Sequence, residues 1–395
     1  MVPRPWAFPA RFDPEPTRTP GELALGLHRA VGELRRAARS QALRAGEGAV
    51  LLCELLPAAI EVVDDPVGTV AAAVARSIDA LAPVIAAAPT SPAQRDQWLG
   101  RLWAALTGDA GGHLRRLAEH WGALCVTPTR AQAWAERLLP EAREGVATAA
   151  SVACLASQVA AGQHEEALEL LAGRTIAVWP ERQFGVRALA ARGELAAAIA
   201  YAEASNPLGH RHAQDIARVC EAVLALGGQR EAAYRRFAFV AHTRQNCRQS
   251  FEALRRAYPE RAASELLGDL IAASPGQEGR WFATACSLRF FALAAEIAGR
   301  SPCDPRTLVR AGLQRLEVDP GFAGEVALAA IRWLCGGHGV EISGDDVYAA
   351  HDLARDAALR MGTQGALRGA VAAICDQPHP AAQWVHGLLA RELEG

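Results

Sequence analysis

The sequence contains no lysine, so arginine supplies all 41 of its basic side chains. A phosphate-binding loop of the G-x-x-x-x-G-K type, Schiff-base catalysis and a protein-kinase active site each depend on a lysine amine. The absence of lysine therefore excludes these three classes of site. The 43 acidic residues leave a net charge of −2, which argues against a globally basic nucleic-acid binder and still permits a local basic patch.

Motifs that indicate a metal site, a disulfide framework or a hydrolase are also missing. Nine cysteines are dispersed through 395 residues with no C-x-x-C pair, and the sequence has no H-E-x-x-H and no G-x-S-x-G. His351 lies beside Asp352 in an acidic segment, but adjacent residues of a helix point about 100° apart, which favours an acidic helix start over a metal site. We therefore expect reduced thiols in a cytoplasmic protein, with no metal and no cofactor.

Signals of α-helix are abundant. Alanine supplies much of the 51% hydrophobic content, aromatic residues make up only 6%, and alternating strand patterns are rare. Helix N-caps, in which a Ser or Thr precedes a Glu, Gln or Asp by three positions, are predicted at Thr19, Ser91, Thr129 and Ser343. The sequence therefore predicts an all-α protein of about twenty helices joined by short connections.

One short pattern recurs between residues 154 and 242: a glycine, four further residues, and then an alanine that opens an apolar run. The copies begin at Gly162, Gly193 and Gly228, which are 31 and 35 residues apart, the length of a helix–turn–helix unit. The alanines are Ala167, Ala198 and Ala233. The spacing predicts that the three glycines occupy equivalent turns in successive helical hairpins.

Residues 154–242 resemble tetratricopeptide repeats, which place one small residue in the turn of each hairpin and another where the neighbouring helix packs. The register continues faintly through Ala262 and Ala292, with Ala257 and Ser287 at the turn positions. The resemblance implies a right-handed stack of hairpins that binds a partner, and it implies no catalytic residues.

Three segments are predicted along the chain. They are a proline-rich N-terminal arm at residues 1–19, an N-terminal helical portion at residues 20–142 and a helical-repeat domain at residues 143–395. The arm lacks the apolar core of a signal peptide and is either disordered or laid as a strap over an apolar groove. Its aromatic residues Trp6, Phe8 and Phe12 favour the strap.

The apolar stretch at residues 146–161 is too short and polar to span a bilayer, so no membrane association is expected.

The strongest local basic charge lies at residues 235–261, where seven arginines accompany two glutamates. A helix predicted near residues 245–257 has an apolar stripe and a separate arginine row of Arg244, Arg248 and Arg255. Arginine binds carboxylates and phosphates through two parallel hydrogen bonds, so the row is a candidate surface for an acidic peptide, a phosphorylated ligand or a nucleic-acid backbone. A solvated face paired with acidic neighbours is the alternative.

Trp281 and Phe282, with Phe290 and Phe291, place four aromatics within eleven residues. They are either a hot spot for a partner peptide or packed core.

Together these features predict a non-catalytic protein-interaction or scaffold protein that holds a peptide on a helical-repeat groove. Two alternatives stay open: a nucleic-acid or phosphorylated ligand on the arginine face, and an enzyme whose pocket is formed by distant helices.

Overall fold

The computed structural model describes residues 6–14, 18–174, 178–205 and 212–394. The chain is 76% helical, and these ranges contain no strand, which confirms the all-α prediction. The chain divides into two compact units, Met1–Ala233 and Tyr234–Gly395. The predicted division between residues 142 and 143 falls inside the first unit and stays a prediction of domain organisation.

The first unit is built from helices of very different length. They are α1 (Pro20–Ala37), α2 (Ala42–Glu61), α3 (Thr69–Ala87), α4 (Pro92–Gly108), α5 (Arg116–Glu119), α6 (Trp121–Cys125), α7 (Pro128–Ala142), α8 (Ala149–Ala161), α9 (His164–Ala172), α10 (Trp179–Ala191), α11 (Leu195–Ala204), α12 (Ala213–Leu226) and α13 (Arg230–Ala233), with 3₁₀ turns at Pro9–Arg11 and His113–Arg115.

The second unit begins with the π-helical segment Tyr234–Ala238. Its other elements are α14 (Phe239–Ala241), α15 (Cys247–Ala257), α16 (Ala263–Ala272), a 3₁₀ turn at Glu278–Trp281, α17 (Phe282–Ser287), α18 (Phe291–Arg300), α19 (Pro305–Arg315), α20 (Pro320–Cys335), α21 (Gly344–Met361), α22 (Gln364–Cys375) and α23 (Pro380–Glu394). Helix α20 packs against α18, α19, α21, α22 and α23, so it is the central helix of this unit.

Three of the four predicted N-caps are present. At the start of α1 the Thr19 hydroxyl accepts from the Glu22 N–H at 3.3 Å, and the Thr19 N–H donates to the Glu22 carboxylate at 2.9 Å. Ser91 caps α4, and Ser343 caps α21. The fourth prediction, Thr129, is wrong: α7 begins two residues earlier and is capped by Thr127. Proline at the next position, with its preset φ, selects the earlier start.

The described part of the N-terminal arm packs on the first unit. Phe8 and Phe12 are 0% and 1% exposed and belong to its hydrophobic core. Trp6 is partly buried, and the Arg44 guanidinium lies 4.4 Å from the centre of its ring. Residues 6–14 therefore form the strap that the aromatic residues favour, whereas residues 1–5 and 15–17 of the predicted arm lie outside the described residues.

The three glycine turns have one backbone geometry. Gly162, Gly193 and Gly228 have φ values of 82°, 82° and 72°, a region that side chains with a Cβ rarely enter. In each turn the residue after the glycine donates its N–H to the carbonyl five positions earlier, the bond of a Schellman C-cap. These bonds are Gln163 to Gln158 at 2.9 Å, Glu194 to Leu189 at 3.0 Å and Gln229 to Leu224 at 2.8 Å. The three turns therefore share one backbone conformation and one hydrogen-bond pattern, and the repetition of whole hairpins as successive units stays a prediction.

The alanines that follow these turns are fully buried. Ala167, Ala198 and Ala233 are all 0% exposed. Helix α8 packs against α9 and α10, and α10 packs against α11 and α12. The first helices of consecutive hairpins are therefore neighbours in this part of the unit.

The predicted continuation of the register is wrong, because Ala262 and Ala292 are both exposed. In that region the left-handed turn residue is Arg289, with φ of 65°, and the Phe290 N–H donates to Ala285 at 3.0 Å. Ala294, five residues after Arg289, is 0% exposed. A glycine search misses this turn because a non-glycine residue occupies the left-handed position.

Within the described residues, α3 is the helix long and apolar enough to cross a membrane, with a mean hydropathy of 1.6. It carries Arg76 and Asp79, packs against α1 and α2, and has 44% of its apolar window buried. These contacts are typical of a core helix. The expectation of no membrane association stays a prediction.

Candidate functional site

The predicted arginine row is only partly helical. Asn246 caps α15, so Arg244 precedes the helix and lies in the connection before it. The Arg244 N–H donates to Ser250 Oγ at 2.8 Å, and its guanidinium donates to the Thr243 carbonyl at 2.7 Å. This geometry corrects the predicted helix start at residue 245 and separates Arg244 from the other two arginines.

Arg248 and Arg255 do lie on one face of α15, two turns apart, and both are exposed. Neither guanidinium makes an ion pair or a hydrogen bond within the described ranges. The predicted apolar stripe is Cys247, Phe251, Leu254 and Tyr258. Phe251, Leu254 and the C-cap residue Tyr258 are buried, at 0%, 0% and 3% exposure, whereas Cys247 is half-buried.

Trp281 and Phe282 are buried in the core of the second unit, at 3% and 1% exposure. The Trp281 indole N–H donates to Ser274 Oγ at 3.0 Å, which satisfies the polar end of the ring. This burial favours the core-packing alternative over a partner contact, because no face of either ring is available in the folded unit.

A groove of the first unit brings together residues that were not selected from the sequence. It has a volume of about 530 Å³ and lies between α10 and α12, the first helices of consecutive hairpins. Its apolar lining is Trp179, Ala190 and Ala191 from α10 with Val219, Ala222, Val223 and Leu226 from α12. Its charged lining is Arg116, Arg187, Asp215 and Arg218.

Helix α12 has two distinct faces. Ile216, Cys220, Val223 and Leu224 are buried, and they form the face that packs into the unit. Arg218, Ala222 and Leu226 fall on another face at helical spacing and line the groove. Leu226 is 84% exposed, so a large apolar side chain lies in solvent at the groove wall.

The groove has one arginine without a carboxylate partner among the described residues. The Arg187 guanidinium donates to Gln183 Oε1 at 2.9 Å and lies 5.0 Å from the centre of the Phe184 ring. Gln183 is held in turn by Glu119, which accepts from its amide at 2.6 Å. Neighbouring protein atoms partly desolvate Arg187, and this desolvation lowers its pKa while the side chain stays open to solvent.

The other groove arginines are already paired. Arg116 contacts Asp79 and Glu119, each at 2.7 Å, and Arg218 lies 3.3 Å from Asp215. Arg187 is the groove arginine that makes no direct ion pair with a carboxylate in the described ranges, although the nearby charge of Glu119 favours its protonated form. An arginine in this setting favours an anionic group on a bound molecule.

A second cavity, of about 350 Å³, lies among α7, α8 and α9 and is lined by Gln158 and Arg174. The Arg174 guanidinium contacts the Glu181 carboxylate at 2.8 Å, and their side chains are 1% and 0% exposed. Ser151 Oγ donates to the same Glu181 oxygen at 2.6 Å. This buried ion pair ties the end of α9 to the start of α10.

The described ranges contain no group of three or more His, Cys, Asp or Glu side chains placed to hold a metal. Cys335 and His338 have the C-x-x-H spacing, but no third ligand joins them in these ranges. His351 is 6% exposed, and burial lowers its pKa.

No family model matches this chain, and neither a curated protein nor a solved structure matches it. The resemblance to tetratricopeptide repeats therefore rests on the residues and on the three equivalent turns. The class of protein that the structure defines is an all-α protein with packed helical hairpins.

Proposed function

We propose that this protein is a non-catalytic interaction protein whose groove between α10 and α12 binds an acidic, partly apolar peptide segment of a partner. The proposal rests on the position of Arg187, which has no ion-pair partner in the described ranges. Arg187 lines a groove whose opposite wall ends in the exposed side chain of Leu226. The arginine favours a carboxylate, and the apolar wall favours aliphatic side chains.

The groove has the dimensions of a peptide site. Its volume of about 530 Å³ accommodates a few side chains, and helices α10 and α12 supply most of its lining. We propose that these helices belong to a right-handed tetratricopeptide-like stack of a cytoplasmic scaffold. The repeated Schellman turns at Gly162, Gly193 and Gly228 support that architecture.

The test is selection of peptides from a displayed random library on the full chain. We expect enrichment of sequences that combine Asp or Glu with Leu, Ile or Phe. Arg187→Glu should weaken the selected peptides at least about tenfold, because it replaces attraction by repulsion at one site, and tenfold corresponds to about 1.4 kcal/mol. Leu226→Ser should also weaken binding and leave folding intact, since this side chain is 84% exposed.

Arg39→Glu is the matched control, because Arg39 is an exposed arginine of the same unit that does not line the groove. It should bind like the wild type. Absence of any enriched acidic and apolar motif, or equal peptide binding by Arg187→Glu and the wild type, would refute the proposal that the groove is the binding site.

The surface predicted on α15 is the alternative contact. Arg248 and Arg255 are exposed and make no ion pair in the described part of the chain, which supports an anionic ligand there. The Arg248→Glu/Arg255→Glu variant should leave the selected peptides bound. Loss of peptide binding in this variant alone would show that the peptides bind at α15 and not in the groove. A ligand affinity that falls steeply with salt concentration would indicate a nucleic acid.

A further inference from the structure

Two thiols of the second unit lie in direct contact. Cys335 is the last residue of α20, and Cys375 is the last residue of α22. The Cys335 S–H donates to Cys375 Sγ, and the two sulfur atoms are 3.8 Å apart although the residues are separated by 40 positions. The sulfur atoms are therefore already in van der Waals contact in the folded unit.

We propose that Cys335 and Cys375 are a redox modification site that forms an intramolecular disulfide by exchange with a small disulfide such as oxidised glutathione. A disulfide bond is about 2.05 Å long, so the sulfurs need to approach by less than about 2 Å. Both cysteines are terminal residues of their helices, and residues 376–379 after Cys375 are non-helical. A small movement at a helix end disturbs fewer backbone hydrogen bonds than one at mid-helix.

Cys375 is the attacking residue, because it is 6% exposed and Cys335 is 0% exposed. Its thiolate attacks one sulfur of the small disulfide, which forms a mixed disulfide and releases one small thiolate. Cys335 then loses its proton and attacks Cys375 Sγ, which forms the protein disulfide and releases the second small thiolate. The two protein thiols lose two electrons and two protons in total, and the small disulfide is reduced to two thiols.

Contact between the two thiols also distinguishes Cys375 chemically. The hydrogen bond from Cys335 favours the Cys375 thiolate and lowers its pKa. Burial instead raises the pKa of Cys53, Cys125 and Cys154 to about 12, which suppresses their thiolates. Cys375 thus combines direct contact with a second thiol and a lowered pKa, so a disulfide is expected to form between Cys335 and Cys375.

The bond would lock the C-terminal helices. Helix α22 packs against α20, α21 and α23, and a covalent link between α20 and α22 closes a long loop of the unfolded chain. The oxidised protein should melt at a higher temperature than the reduced protein, and a dithiol should reverse the change.

Peptide mapping of the full chain tests the proposal. Because the sequence has no lysine, trypsin cuts only after arginine, and Cys335 and Cys375 fall alone in peptides 333–355 and 369–391. The reduced protein is incubated with oxidised glutathione, its remaining thiols are alkylated in denaturant, and the digest is analysed by mass spectrometry. We expect the linked pair of these peptides, its loss on reduction, and two fewer alkylated cysteines than the nine of the reduced chain.

The variant Cys335→Ser should leave Cys375 as a mixed disulfide with glutathione, whereas Cys53→Ser should form the linked pair as the wild type does. The wild-type digest is decisive even where a variant fails to fold. Nine alkylated cysteines after oxidation, or links scattered among other cysteine peptides, would overturn the proposal.

Discussion

The buried ion pair between Arg174 and Glu181 predicts that one conservative substitution will greatly lower the free energy of unfolding. Glu181→Gln keeps the size of the side chain and removes its charge, so Arg174 remains as a cation whose side chain is 1% exposed. Glutamine also offers an oxygen to Ser151, whose hydroxyl donates to the present carboxylate at 2.6 Å. The variant therefore tests the charge with little change in packing.

The expected cost follows from burial. Two unit charges about 4 Å apart attract each other by about 4 kcal/mol at an effective dielectric constant of about 20. Removing one partner of a buried pair typically costs about 3–5 kcal/mol, because the remaining charge stays desolvated. Against a typical domain stability of about 5–15 kcal/mol, we expect Glu181→Gln to lose about 3 kcal/mol or more.

Urea unfolding followed by far-ultraviolet circular dichroism measures this loss, with the two compact units fitted as separate transitions. The double variant Arg174→Met/Glu181→Leu is the control, because it removes both charges and leaves apolar side chains of similar volume. It should be within about 1–2 kcal/mol of the wild type. A Glu181→Gln variant as stable as the wild type would show that the pair is not desolvated in solution.

Two further predictions concern the backbone and acid stability. Gly193→Ala should destabilise the first unit by about 1–2 kcal/mol, because φ is 82° and an added Cβ meets no atom within 4 Å, so the cost is backbone strain alone. Gly100→Ala, inside α4 and equally uncrowded, should stabilise by about 0.5–1 kcal/mol, and equal effects of the two changes in chemical denaturation would contradict this reasoning. The Arg306 guanidinium, 2.7 Å from Asp346, holds the pKa of that carboxyl well below its usual range. A carboxyl whose pKa is lower in the folded than in the unfolded state stabilises the fold above about pH 4, and this stabilisation is lost as the pH falls further. Asp346→Asn should therefore be less stable than the wild type near neutral pH, and the difference should shrink in acid. A stability difference that stays constant with pH in urea titrations would contradict a stabilising Arg306–Asp346 ion pair.

Local signals in the sequence determined the helices and many of their ends. The caps at Thr19, Ser91 and Ser343 and the turns at Gly162, Gly193 and Gly228 each depend on groups within six positions of one another, so a short window contains their cause. The wrong cap of α7 has a local cause as well, since Thr127 precedes a proline and displaces Thr129.

Only the tertiary structure decided which distant side chains lie together. Arg187 and Leu226 share a groove because α10 and α12 are neighbours, and the contact of Cys335 with Cys375 spans 40 positions. Trp281 is core because other helices of its unit cover it, which an aromatic cluster in sequence cannot reveal. Helix formation is governed by groups a few residues apart, whereas burial and pairing depend on which distant helices pack together, and that information is distributed over the whole chain.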